Sequence, residues 1–76
     1  MLDSQLLKAK LVEKSLTLEK TAEKMGITKS TLSKKVNGLC DFKFCEIDDL
    51  STILELSQHD IMRIFFGRFV ASNENN

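Results

Sequence analysis

Seventy-six residues with no proline, tryptophan or tyrosine and three glycines suit one small helical domain and exclude a turn-rich sheet protein. No stretch approaches the ~20 apolar residues of a membrane span, and no apolar N-terminal run marks a signal peptide, so a cytoplasmic protein is expected. The net charge of zero hides an asymmetry: residues 1–44 hold nine lysines and five acids, a balance of +4, and residues 45–76 hold two arginines and six acids, a balance of −4.

In chain order, Asp3 or Ser4 caps a first helix over about residues 4–14. Leu7 and Leu11 lie one turn apart and face the core, with Lys8, Lys10 and Lys14 in water. Thr17 caps a second helix over about 18–25, Glu19 suits its positive end, and Gly26 closes it in the left-handed conformation. Thr28 caps a third helix over about 29–37, anchored by Leu32 and Val36 and ended by Gly38. Lys34 and Lys35 lie toward its C-terminal end, where cations are favoured.

Residues 39–45 are expected as a loop under which at least one of Phe42 and Phe44 packs. A fourth helix over about 46–56 turns Ile47, Leu50, Ile53 and Leu54 inward, with Glu46, Asp48 and Asp49 in its N-terminal turn. Ser57 and Asp60 make a weaker capping box before a fifth helix over about 58–66. A single domain over residues 1–70 is expected, with a polar, frayed tail at 71–76.

Residues 17–38, TLEKTAEKMGITKSTLSKKVNG, carry the strongest functional signal. Positions 18, 22, 25, 27, 32 and 36 are apolar and face inward, and Ala22 sits where two helices nearly touch. Lys29, Ser30, Ser33, Lys34 and Asn37 face out. That layout implies a helix-turn-helix whose second helix enters a DNA major groove. A basic half opposite an acidic half fits a domain that offers one face to DNA. Lysine reaches guanine O6 or N7, and serine pairs with either base type.

This segment resembles the helix-turn-helix of the Cro and lambdoid repressor family, also called XRE-like or lambda-repressor-like. Thr17, Ala22, Gly26, Ile27, Thr28, Ser30, Leu32, Asn37 and Gly38 match the family pattern. The stretch DFKFCEIDDLSTILELSQHDIMRIFF is similar to the closing helices of small phage-type members, so the resemblance covers most of residues 5–66. It implies that Lys29, Ser30 and Lys34 read bases, with Ser33 a possible addition, and that Thr28 and Asn37 contact phosphate. Lys35 and Lys43 are expected phosphate clamps from their charge and location. Thr28 also has an ordinary reading as a helix cap, and Asn37 as a helix-ending residue before Gly38. The chain departs from the family at Leu18, where relatives carry a phosphate-contacting glutamine, at Thr21 in place of leucine, and at Val36 in place of a paired glutamate.

The segment Ile61 to Val70 is too apolar for one core face. Phe65, Phe66, Phe69 and Val70 are therefore expected at a dimer interface. The alternative is that Phe69 and Val70 fold back over their own monomer. No nucleophile–base pair or glycine-rich phosphate loop marks an enzyme. Cys40, Cys45 and a distant His59 fall short of a metal site, and no cofactor or small-molecule ligand is expected.

The combined expectation is an all-α, compact five-helix DNA-binding domain. It acts as a cytoplasmic, nucleoid-associated homodimer on operator DNA, in the manner of a small phage or prophage Cro-like regulator. The competing expectation is a protein-interaction module of antirepressor or antitoxin type, with the helix-turn-helix as scaffold.

Overall fold

The computed structural model describes residues 2–67, and among them it contains helices and no strand. The five helices are α1 (Ser4–Glu13), α2 (Leu18–Met25), α3 (Lys29–Val36), α4 (Phe44–Ile53) and α5 (Gln58–Phe65).

Four of the five starts are capped by a side-chain acceptor. Asp3, Thr17, Thr28 and Ser57 accept from the amides of Leu6, Lys20, Thr31 and Asp60 at 3.0–3.1 Å. At α5 the Ser57 amide also donates to Asp60 Oδ2 at 3.3 Å, which completes a capping box. The start of α4 is different. Lys43 has no side-chain acceptor, and Glu46 Oε1 takes the Lys43 amide at 2.8 Å instead. That bond lets α4 begin at Phe44, two residues before its expected start.

Four of the helices end alike. Ser15, Gly26, Gly38 and Glu55 adopt left-handed backbone, with φ of 56°, 75°, 80° and 53°. The next residue then donates its amide to the carbonyl five residues back: Leu16 to Leu11, Ile27 to Ala22, Leu39 to Lys34 and Leu56 to Ser51, at 2.8–3.0 Å. This geometry places an apolar residue where it can fold against its own helix. Leu16, Ile27 and Leu56 pack on the core in this way. Leu39 does not, and is 76% exposed.

The core draws on every helix: Leu7 and Leu11 from α1, Ala22 from α2, Leu32 and Val36 from α3, Leu50 with the adjoining Leu54 from α4, and Ile64 and Phe65 from α5. α2 packs on α3 and α4, α1 on α3 and α5, and α4 on α5. The Asp3 amide donates to the Ile64 carbonyl at 2.6 Å and ties the start of the chain to α5.

Phe65 corrects an expectation. It is 7% exposed and packs edge-on against Phe42, with ring centroids 5.4 Å apart. Ile61, Ile64 and Phe65 stand at i, i+3 and i+4, so one face of α5 turns all three toward the core. Phe65 is therefore monomer core and not dimer interface. Phe66 is half-buried against the same core. Phe69 and Val70, the other two expected interface residues, lie outside the described residues. Of the two loop phenylalanines, Phe42 packs inward and Phe44 is 83% exposed.

Candidate nucleic-acid interface

The candidate site rests on how α2 holds α3. Thr17 caps α2, and the buried Thr21 hydroxyl donates back to the Thr17 carbonyl at 2.8 Å. Thr21 is thus satisfied within its own helix and costs the core no orphaned polar atom. Ala22 is 2% exposed, small enough to let the neighbouring helix come close. Left-handed Gly26 turns the chain, Ile27 packs on the core, and Thr28 starts α3.

Leu32, Lys35 and Val36 form the inward face of α3, at i, i+3 and i+4. Lys29, Ser30, Thr31 and Lys34 are exposed on the remaining surface, and Ser33 is half-buried. The structure therefore brings Lys29, Ser30 and Lys34 onto one accessible surface, with Ser33 at its margin. Thr31 belongs to the same surface and was not among the expected base readers. Its hydroxyl accepts from Thr28 Oγ1 at 2.8 Å, so the two threonines share a cap. The signal for it was its position between Ser30 and Leu32.

The expected phosphate contacts divide. The Thr28 hydroxyl is engaged with Thr31. Asn37 Nδ2 donates to the Ser33 carbonyl at 2.9 Å and fastens the end of α3. Lys43 is exposed at the start of α4 and forms no ion pair among the described residues.

Lys35 is a correction. Its ammonium lies 2.8 Å from Glu46 Oε1 and 3.2 Å from the Asp41 carbonyl, and its side chain is 10% exposed against 12% for Glu46. Helical period explains this, because residue 35 falls one turn beyond Leu32 and shares its face. The Lys35 charge is spent inside the protein and is not offered to phosphate. Burial alone would raise the Glu46 pKa. The Lys35 hydrogen bond, the Lys43 amide and the charges of both lysines outweigh it and hold the carboxyl below the usual Glu value.

The other ion pairs sort the remaining charges. Lys10 lies 3.5 Å from Glu13 and 3.6 Å from Asp60, and Lys14 lies 3.2 Å from Glu55. Bonds to the Ser57 amide, with smaller help from its hydroxyl and from Lys10, hold Asp60 below the usual Asp range. Lys10 and Lys14 thus reach Asp60 and Glu55 of the acidic half of the chain. Among the described residues Lys29, Lys34 and Lys43 have no ion-pair partner, and neither do Lys8, Lys20 and Lys24; α3 carries lysines and no acid, so its exposed face is positive. Cys40 and Cys45 are free and exposed, and no group of three or more metal-ligating side chains comes together among the described residues. No described helix is long and apolar enough to cross a membrane.

A protein-family model described as "Protein of unknown function (DUF739)" matches residues 1–68. The chain belongs to the DUF739 family. The match takes in all five helices, so the DUF739 unit here is the whole helical domain and not the α2–α3 pair alone. No curated protein and no solved structure matches this DUF739 chain.

Proposed function

We propose that this DUF739 domain binds double-stranded DNA through α3 and regulates transcription as a homodimer, in the manner of small Cro-like regulators. The observation that carries the reading is the solvent surface of α3. Lys29, Ser30, Thr31 and Lys34 stand exposed on a helix whose other face is anchored by Leu32, Lys35 and Val36. Lysine, serine and threonine are donors that base edges accept, and an exposed helix of this kind fits a major groove. Lys43 sits just beyond the α3–α4 loop, where a cation can meet the phosphate backbone. The resemblance of residues 17–38 to Cro and lambdoid repressors supports the same reading. The sequence offers no nucleophile–base pair, and we read the domain as a binding module.

A second reading is a protein-interaction module of antirepressor or antitoxin type. The exposed Leu39 and Phe44 favour it, because large apolar side chains in water mark contact surfaces. The test is selection of duplexes from a random-sequence pool, followed by gel shifts on the enriched sites. The DNA reading expects a consensus that Lys29→Ala plus Lys34→Ala abolishes without loss of helix content. Failure to enrich any sequence, with no shift at low salt, would leave the protein-interaction reading.

A further inference from the structure

The α3–α4 connection carries an apolar surface that the described residues leave uncovered. Leu39 is 76% and Phe44 83% exposed. Beside them opens a groove of about 510 Å³ lined by Leu2, Phe42, Ile47 and Phe66, with Phe44 on its wall and Asp41 in its lining. Two features set this surface apart from stray exposure. Leu39 holds the place that Leu16, Ile27 and Leu56 fill at the other left-handed helix ends by packing on the core. Phe44 is the first residue of α4, whose start is fixed by the Glu46 bond to the Lys43 amide, so the protruding ring is set on a helix.

We propose that this face docks a second copy of the chain about a two-fold axis, with Phe44 of each copy entering the groove of the other. A protruding ring and an apolar groove lie on the same face. A two-fold axis satisfies both at once, twice over. Charge points to the same occupant. Lys43, next to the ring, and Asp41, in the groove, have no side-chain ion-pair partner among the described residues. Two-fold docking sets each Lys43 against the partner's Asp41. Leu39 follows the end of α3 by three residues, so the axis lies near the C-terminal ends of both α3 helices. This inference rests on the dimer part of the reading above and needs no DNA.

The test is sedimentation equilibrium of the full chain without DNA. The parent chain self-associates. Phe44→Asp weakens association about a hundredfold or more, because two rings lose their apolar contact. Val12→Asp, at a site 77% exposed on α1, leaves association unchanged. Asp41→Lys and Lys43→Asp each weaken self-association when alone, since each sets like charges together. Their equimolar mixture recovers a dimer, because only the mixed pair places opposite charges at both contacts. Aspartate is a favoured N-cap residue, so Lys43→Asp preserves α4. If Phe44→Asp loses helix content, the charge-swapped pair decides. A parent chain that stays monomeric at millimolar concentration overturns the proposal and gives the groove to another molecule. So does a Phe44→Asp variant that is folded and still dimeric, or a mixture that fails to pair. Gel shifts run separately keep the two readings apart: a dimer that binds no DNA rejects the DNA reading and leaves this one standing.

Discussion

Lys35→Met tests the interior placement of the Lys35 charge. The substitution keeps an unbranched apolar stem and removes the ammonium 2.8 Å from Glu46. The Glu46 carboxylate is then left with its charge in a site where its side chain is 12% exposed. Breaking a buried pair from one side costs about 3–5 kcal/mol. The lower end, about 3 kcal/mol, applies because Glu46 still holds the Lys43 amide and sits at the positive end of α4. In a domain of this size that corresponds to a fall in Tm of about 12–24 °C. Adding Glu46→Gln removes the stranded charge, and glutamine can still accept the Lys43 amide. The double variant is therefore expected within about 1 kcal/mol of the parent.

Thermal and urea denaturation of the parent, Lys35→Met, Glu46→Gln and the double variant, followed by circular dichroism, closes the cycle. The acid limb adds a sign. The Glu46 pKa in the folded chain lies below its ordinary value of 4.5, so its stabilisation is complete above that value and is lost as pH falls through the lowered one. Lys35→Met removes the largest favourable contact, raises the folded pKa and flattens this loss. A Lys35→Met variant as stable as the parent, with the same acid limb, would refute the buried pair and return Lys35 to the surface as a candidate phosphate contact.

Phe65→Ala is expected to cost about 3–5 kcal/mol in denaturation, because the ring is core; a change under 1 kcal/mol would place it at the surface after all. Gly26→Ala meets nothing within 4 Å and is strained only through its φ of 75°. Its expected cost is about 1–2 kcal/mol in the same assay, and a larger loss would mean a steric clash. Lys34→Ala is expected to reduce discrimination between selected and random DNA by about 1–3 kcal/mol. Lys43→Ala should weaken both targets alike, and equal losses for Lys34→Ala would make it a phosphate contact.

The helices were legible because their punctuation is local. Asp3, Thr17, Thr28 and Ser57 cap as their types require, and Gly26 and Gly38 mark turns that need positive φ. The start of α4 lies before its expected place because its cap works in reverse, with Glu46 reaching back to a residue that has no acceptor of its own. Lys35 departs from expectation because lysine type argues for water while helical period argues for the core. Its spacing from Leu32 carried the signal, but the partner that permits burial lies eleven residues on. Phe65 departs from expectation for a related reason. A surplus of apolar residues shows that some must be exposed; among the described residues these are Val12, Leu39, Phe44 and Met62, and of them only Met62 lies on α5. Which ring packs on Phe42 is a tertiary fact.

The salt dependence of duplex binding tests the central claim most directly. With Lys35 spent on Glu46, each protomer brings three cations to the duplex, Lys29 and Lys34 in the groove, where their charge also displaces counterions, and Lys43 at the phosphate backbone. If a dimer neutralises about six phosphates, log K falls against log salt with a slope near −5, or about a thousandfold between 50 and 200 mM. Lys35→Met/Glu46→Gln should keep that slope, and Lys29→Ala plus Lys34→Ala should make it shallower. A flat response, or a slope that changes with Lys35 and not with Lys29 and Lys34, would contradict binding through the exposed face of α3.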